Sequence, residues 1–408
     1  KYFDKIVFLR KALELEAKKA ELPALFGESA SLVAVDGWIP EKLYSTLQSS
    51  LNSLFKDAVV VEKISVSEGH VGHGSHAMHA KDVAPVLLKN NVVIQPFEFL
   101  TRFFSLPGAH DIDPTPFVAL SFPIFFGMIL GDIGYGLVAL ALAFVLKSKF
   151  KEGFYASVAG MMFLSALTTI FFGFVFGEFL GSEHVFGYEL HPFIHRIEEE
   201  GLQELMSLSV LVGFIHLALG FAIGAVSNAV EKHYKHALAK TAWLVLELSL
   251  ISFLTLSVDV SFFELLKPLA HLLPGIVWGV LAIASLLAIG LAEGFTALFE
   301  LPGLFANLFS YLRLMALGVA GAILALIISK IPLNTSFTDV WSVISFVLFL
   351  ALFTFAHIVS LLLGMFESSI QSLRLHYVEF FSKFYRGGGV AFTPLVEKKL
   401  RKFMNQLR

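Results

Sequence analysis

The sequence predicts a mainly α-helical fold, in which a polytopic membrane domain of about eight segments follows part of a cytosolic α/β domain with a coiled-coil-like helix. Hydrophobic residues make up 56% of the 408 residues and charged residues 15%, against roughly 25% charged in soluble proteins. Mean hydropathy is +0.75. We therefore assign residues 1–115 to the C-terminal part of the cytosolic domain, 116–384 to the membrane domain and 385–408 to a cytoplasmic C-terminal tail.

Composition and motifs exclude several classes of protein. A net charge of -3 argues against nucleic-acid binding, and the absence of Cys excludes disulfides, thiolate metal sites and cysteine catalysis. The sequence has no Walker-type phosphate loop, no GxSxG or HExxH motif and no nucleotide fingerprint. We expect that the chain is not an enzyme by itself and needs no cofactor.

The first predicted element is a helix over residues 1–22. Its apolar residues Tyr2, Ile6, Leu9 and Leu13 follow the spacing of a single coiled-coil seam. A single seam needs a partner helix, and no matching heptads follow, so the partner is either upstream sequence or another subunit. Because the chain begins in mid-helix, we expect the true N-terminus to lie further upstream.

A small α/β module is predicted next. Residues 31–40 and the β-branched segment 58–66 are typical of strands, and residues 41–55 form an amphipathic helical pattern between them.

The segment 69–79 is rich in Gly and contains four histidines at intervals of three, which are His70, His73, His76 and His79. Imidazole is a common ligand of zinc and nickel, so a metal site is one interpretation. A solvated loop without metal is the other.

Hydropathy divides the remainder of the chain into seven apolar blocks: about 117–147, 154–181, 206–229, 237–258, 272–292, 299–330 and 338–374. The first block is interrupted by Gly131, Asp132, Gly134 and Gly136. This pattern predicts a broken helix or a turn at membrane depth, which is tolerated only where protein or water covers the backbone.

Charged loops favour two crossings for this first block. Lys and Arg accumulate on the cytoplasmic side of membrane proteins, and the basic segments here are 147–151, 231–240 and 398–408. All three lie on the same side only if the first block enters the membrane and returns. We therefore predict eight segments, the first two forming a re-entrant hairpin, with the N-terminal domain and the C-terminus cytoplasmic.

Polar residues follow one face of each of the last two blocks. In the last block they are His357, Ser360, Gly364, Glu367, Gln371 and Arg374, at alternating intervals of three and four. In the block before it they are Glu300, Gly303, Asn307, Ser310 and Arg313. An Arg at the centre of a membrane helix costs roughly 2.5–3.5 kcal/mol, so such residues indicate function. An Arg–Glu pair that only fixes helix packing is the alternative.

His216, in the middle of a third block, is either a relay group or a hydrogen-bonded packing residue.

At these residues the chain resembles the membrane-embedded stator subunit of rotary V-type and A-type ATPases, called subunit a or subunit I. The resemblance lies in residues 310–317, 372–385, 126–136 and 213–216 and, in the soluble part, in short stretches such as 36–40. These stretches cover nearly the whole chain in the family's order.

The resemblance implies eight membrane helices, the last two lying against a ring of c-type rotor subunits. Arg313 would face the rotor carboxylates, Arg374 would be the second arginine, and Glu300 and Gln371 would be channel residues. Eukaryotic relatives carry a histidine and a glutamate where this chain has Gly321 and Gly364, which favours a prokaryotic A/V-type member.

The predicted function is ion translocation, of protons or sodium ions, as the stator of a rotary ATPase. The two arginines would force rotor carboxylates to discharge between two half-channels, for whose lining Glu300, Glu367, His357 and Gln371 are the candidates. His216 is a further candidate for ion translocation. The expected partners are the rotor ring, the peripheral stalk, the other subunits and membrane lipid. The alternative is a stand-alone secondary transporter that binds an anion between Arg313 and Arg374.

Overall fold

The computed structural model describes residues 2–29, 32–64, 84–108, 111–185, 187–257, 261–332 and 339–394. The chain divides into two compact units, one formed by residues 1–87 with 389–408 and the other by residues 88–388. The histidine-rich segment with His70, His73, His76 and His79 lies outside the described residues, so its metal interpretation stays a prediction.

The first unit begins with helix α1 (Tyr2–Glu21), and helix α2 (Tyr44–Phe55) follows. Between them the short strands β1 (Gly27–Glu28) and β2 (Val33–Ala34) pair antiparallel. The seam residues Ile6, Leu9 and Leu13 of α1 are exposed, as expected for a helix whose partner is another segment.

The strands of this unit differ from the sequence-based prediction. The strand predicted over 31–40 is confined to β2, and residues 59–64 of the strand predicted over 58–66 form no ladder with any described strand. β-Branched residues favour a strand only where a neighbouring strand can pair with them, and this segment lacks one among the described residues. The predicted cytosolic α/β domain therefore stays a prediction.

The second unit is helical. Its first helices are α3 (Glu98–Phe104), α4 (Thr115–Leu130), α5 (Ile133–Lys149), α6 (Phe154–Phe176), α7 (Glu199–Val230) and α8 (Tyr234–Ser257). They are followed by α9 (Lys267–Ala270), α10 (Gly275–Glu293), α11 (Leu301–Phe309), α12 (Leu312–Ser329) and α13 (Val340–Arg374). A hairpin of β3 (His184–Val185) and β4 (Tyr188–Glu189) lies between α6 and α7.

Six helical segments of the described chain are long and apolar enough to cross a membrane: Phe154–Phe176, Glu199–Val230, Tyr234–Ser257, Gly275–Glu293, Phe295–Ser329 and Val340–Lys383. Thr115–Leu130 is apolar but shorter. The chain is thus a mainly helical, multi-pass membrane protein.

Helix α4 contacts α6, α12 and α13. Its aromatic side chains point into two buried clusters, with Phe122 and Phe126 in one and Phe125 in the other. α4 ends at Gly131, and the Asp132 carboxylate then caps α5 by accepting a hydrogen bond from the backbone N–H of Tyr135 at 2.9 Å. An N-cap carboxylate satisfies one of the free N–H groups at a helix start, so Asp132 begins a new helix where α4 stops.

The block predicted over 299–330 is divided in two. α11 ends at Phe309 and α12 begins at Leu312, with Tyr311 N–H bonded to the carbonyl of Leu308 at 3.1 Å in a tighter turn. Arg313 therefore lies in the first turn of a new helix.

Candidate functional site

Arg313 and Gln371 connect the last two membrane helices. A guanidinium N–H of Arg313 on α12 donates to the side-chain oxygen of Gln371 on α13 at 3.3 Å, and both residues are half-buried. An amide oxygen is a neutral acceptor, so this bond orients the arginine but leaves its charge uncompensated.

Arg374 lies one turn beyond Gln371 on α13 and is exposed. After it the chain forms a π-helix over Leu375–Phe380, which turns Glu379 inward and buries it to 1% exposure. The Glu379 carboxylate interacts electrostatically with both Arg374 and Arg313. Two arginines and one carboxylate leave a net positive charge among these three side chains. π-Helical turns of this kind are frequent at functional sites.

A cavity of about 450 Å³ extends from Gln371 between α12, α13 and the α4–α5 break. We call it the α12–α13 cavity. Its polar lining is formed by Asp132, Tyr135, Glu178, Arg196, Ser360, Glu367, Ser368 and Gln371. Glu367 is exposed, and Gly321 and Gly364 leave the space open on the two helices. Four positions of the polar stripe on α13 thus line one cavity: Ser360, Gly364, Glu367 and Gln371.

His357 is the residue of that stripe furthest from Arg374, and it is buried behind the cavity wall. Its Nδ1 lies 2.9 Å from the hydroxyl of Tyr135, and its Nε2 has no hydrogen-bond partner among the described residues. Asp132, at the start of the same helix as Tyr135, accepts the backbone N–H of Gly181 at 2.8 Å with its second oxygen. The α4–α5 break is therefore joined both to α13 and to the turn after α6.

Glu178 and Arg196 form a buried ion pair in the wall of the cavity. Nε of Arg196 donates to Glu178 at 2.9 Å, and a terminal nitrogen donates to the other carboxylate oxygen. Arg196 is 2% exposed, and its guanidinium lies over the ring of Phe176 at 4.4 Å. Sequence reasoning missed this arginine because it follows an exposed β-hairpin and belongs to a segment, 182–205, that reads as an acidic connection.

His216 lies on α7 in a buried aromatic cluster. Its Nδ1 is 2.7 Å from the hydroxyl of Tyr311, and its ring stacks on Phe380 with 4.1 Å between ring centres. His376 is the next ring, 5.0 Å away, and Ser121 lies 2.6 Å from the Nε2 of His376. His216 thus reaches the residue two positions before Arg313, and it lies outside the lining of the α12–α13 cavity.

Glu300 ends the short helical segment Phe295–Glu300 and is exposed. It forms no ion pair within the part of the chain that the structure describes, and it interacts electrostatically with Lys383. The structure therefore does not bring Glu300 to Arg313. No group of three or more His, Asp or Glu side chains in the described ranges is placed to hold a metal ion.

Most of the elements that build this site match a known protein family. The V-type ATPase 116kDa subunit family matches residues 23–192 and 302–396, which together make up more than half of the chain. The chain belongs to this family. The predicted resemblance is therefore confirmed, and the match includes α4 to α6, α12, α13 and both arginines. Arg196, His216 and Glu300 lie outside the matched ranges.

Relatives in this family carry names that specify a type of complex. "A-type ATP synthase subunit I" of Archaeoglobus fulgidus is 29% identical over 98% of this chain and 64% of its own length. The subunit of the same name from Methanothermobacter thermautotrophicus is 30% identical over 94% of this chain and 55% of its own length. "V-type ATP synthase subunit I" of Borreliella burgdorferi is 24% identical over 79% of this chain. The chain spans about 55–64% of the length of the first two relatives.

Proposed function

We propose that this family member is a non-catalytic membrane subunit of a rotary ATP synthase or ATPase and forms the stator path through which protons or sodium ions pass. The observation that carries the proposal is the pair Arg313 and Arg374. With Glu379 as the one carboxylate that interacts with both, they retain a surplus positive charge, and Arg313 is bonded to the neutral side chain of Gln371, which lines the α12–α13 cavity.

The charge at this point suits the discharge of a rotor carboxylate. A carboxylate that turns through lipid must be protonated or ion-loaded, because a bare charge in hydrocarbon is costly. Beside a fixed arginine the charged form is favoured, and the carboxylate releases its ion. Arginine itself stays charged at any biological pH. Arg313 and Arg374 would thus force release and also prevent ions from crossing without rotation.

We assign the α12–α13 cavity to the half-channel on the extracytoplasmic side, with Glu367 and Gln371 in its lining and His357 behind its wall. We assign Glu379 and Glu300 to the cytoplasmic half-channel, since both interact electrostatically with Lys383. His216, which contacts Tyr311, is our candidate for a group between the two paths.

Eight membrane segments follow if α4 and α5 count as a re-entrant hairpin beside the six long segments. α4 has 16 residues and α5 has 17, about 24 and 26 Å at 1.5 Å per residue, against a hydrocarbon core of about 30 Å. Their junction at Asp132 is 1% exposed and hydrogen-bonded, as membrane-depth backbone requires. The basic segments 147–151 and 231–240 then share the cytoplasmic side with the N-terminal domain and the C-terminus.

The proposed partners follow from the exposed surfaces. α13 is 35 residues long, about 52 Å, and must tilt to fit a bilayer. Its apolar side chains Phe355, Leu362 and Phe366 are exposed, and we assign this face to the c-type rotor ring and lipid. The exposed seam of α1 is assigned to a helix of the same subunit or to the peripheral stalk and other subunits of the complex.

A stand-alone transporter that binds an anion between the two arginines is less consistent with the site. Glu379 already interacts electrostatically with both arginines, and Glu367 lines the same cavity as Gln371, the partner of Arg313. Both carboxylates would repel an anionic substrate.

The test is Arg313→Ala in the complete complex. We expect that the complex assembles and that its catalytic subunits hydrolyse ATP normally, but that ion pumping is lost. Pumping is measured in proteoliposomes with a pH-sensitive dye or by sodium uptake. Arg102→Ala, on α3 and ion-paired with Glu98, is the control. Pumping by the Arg313 variant at a near-normal rate would overturn the proposal, and transport by the isolated chain in liposomes would favour the transporter.

A further inference from the structure

Arg196 uses every N–H donor that it has. A guanidinium carries five donors in a fixed planar fork. Two of them bind the carboxylate of Glu178, and the other three bind the carbonyl oxygens of Gly131 at 2.9 Å, Gly318 at 3.2 Å and Ile129 at 3.5 Å. Full satisfaction of a buried guanidinium by these acceptors fixes its position.

The acceptors belong to three different elements. Ile129 and Gly131 lie at the C-terminal end of α4, where the last carbonyls of a helix lack intrahelical partners and where the helix dipole attracts a cation. Glu178 lies in the turn after α6. Gly318 lies in α12, five residues after Arg313, and its missing side chain lets α12 approach α4, since an added Cβ would be 3.1 Å from the carbonyl oxygen of Met128.

We propose that the Arg196–Glu178 pair is a positioning pair, which holds α12 against the end of α4 and so sets the place of Arg313 relative to the rotor. This inference rests on the proposed function of Arg313. The Gly318 carbonyl is the direct connection, because a helix transmits a shift at one turn to the next. A displacement of about 1 Å at a working group can lower a rate by roughly 10²-fold.

Charge alone does not explain this geometry. A buried ion pair contributes little net stability, because desolvation offsets the attraction between the two charges. An ion pair alone would not fix the distance between α4 and α12, whereas the bonds from Arg196 to three backbone carbonyls do. A lysine at this position would keep the charge but not the planar fork.

The experiment measures ions pumped per ATP hydrolysed in the reconstituted complex, together with the amount of complex assembled. We expect Arg196→Gln to lower this ratio, the coupling ratio, by about tenfold or more, while the amount of assembled complex and the ATPase activity of the catalytic subunits remain. Arg196→Lys should give an intermediate coupling ratio. Glu178→Gln tests the other partner and should also lower the ratio. Arg386→Gln, which removes an arginine bonded to Glu231 and Asn228 outside this pair, is the matched control.

The outcomes separate this inference from the proposed function. A purely structural role would lower the amount of assembled complex without changing the ratio in what assembles, and that result overturns the inference. An unchanged ratio of ions pumped per ATP hydrolysed in Arg196→Gln also overturns the inference. If neither Arg196→Gln nor Glu178→Gln assembles, the pair is a folding determinant and the inference is also wrong. Pumping by Arg313→Ala, in contrast, overturns the proposed function itself.

A second measurement reports the position of α12 directly. The chain has no Cys, so spin labels can be placed at Leu120→Cys on α4 and Ile323→Cys on α12, both exposed. We expect Arg196→Gln to shift or broaden the distance distribution between these labels by pulsed electron paramagnetic resonance. An unchanged distribution contradicts the proposed positioning.

Discussion

Arg313 on α12 donates a hydrogen bond to Gln371 on α13 at 3.3 Å, so the arginine is oriented by a neutral side chain from the facing helix. An amide holds a guanidinium less firmly than a carboxylate does, by about 1 kcal/mol or more. The arginine can therefore leave this bond when a stronger acceptor arrives. A rotor carboxylate would be such an acceptor.

Gln371→Glu should hold Arg313 in its hydrogen bond to residue 371. The new carboxylate would form a charge-assisted bond of about 1.5–3 kcal/mol and compete with the rotor carboxylate, so pumping should fall by tenfold or more. Proton pumping in proteoliposomes provides the measurement, and Gln203→Glu, at an exposed position near the start of α7, provides the control. Equal pumping by both variants would show that Arg313 does not need a neutral neighbour.

Tyr135→Phe should destabilise the protein by about 1–3 kcal/mol. The substitution removes the hydroxyl that lies 2.9 Å from Nδ1 of His357 and leaves a buried polar nitrogen unpaired. Thermal unfolding of the detergent-solubilised protein measures this change. Tyr155→Phe removes the hydroxyl of an exposed tyrosine for which no hydrogen bond is described, so it should leave the midpoint nearly unchanged. Equal midpoints for the two variants would contradict this role of Tyr135.

The local features of this chain are those that its sequence predicts best. Three glycines and Asp132 in one apolar block predict a broken helix, and α4 ends where they begin. A polar stripe at intervals of three and four predicts one face of a helix, and four of its residues line one cavity. Both patterns depend on residues that are close in sequence.

The contacts of Arg196 show why other parts of the site could not be predicted from the sequence. Its partners Glu178, Gly131 and Gly318 are separated from it by 18, 65 and 122 residues, so no periodicity connects them. The break between α11 and α12 was missed for another reason, since Ser310 and Tyr311 carry no Gly or Pro signal. Tyr311 is fully buried and bonded to His216, which indicates that tertiary packing and not local propensity shapes this turn.

Glu379→Gln should slow pumping without preventing assembly. Removal of this charge leaves Arg374 and Arg313 without the carboxylate that interacts with both, so a rotor carboxylate would be held more tightly and released more slowly. We expect pumping to fall roughly tenfold, which corresponds to about 1.4 kcal/mol in the barrier. Glu204→Gln, at an exposed position on α7, is the control. A rate for Glu379→Gln that matches the control would exclude Glu379 from the translocation path.

Gly173→Ala should separate α6 from the α4–α5 break. An added Cβ would lie 2.4 Å from the backbone nitrogen of Ile133 and 2.8 Å from the carbonyl carbon of Asp132, and neither backbone atom can rotate away. Overpacking of this kind costs about 1–3 kcal/mol, so the thermal midpoint in detergent should fall. Gly303→Ala is the matched control, because its Cβ would meet nothing within 4 Å and Ala is the better helix former by up to about 1 kcal/mol. A midpoint for Gly173→Ala as high as that of the control would mean that the α4–α5 break can move away from α6 at little cost. The bonds that fix Asp132 would then not hold this part of the cavity wall in place.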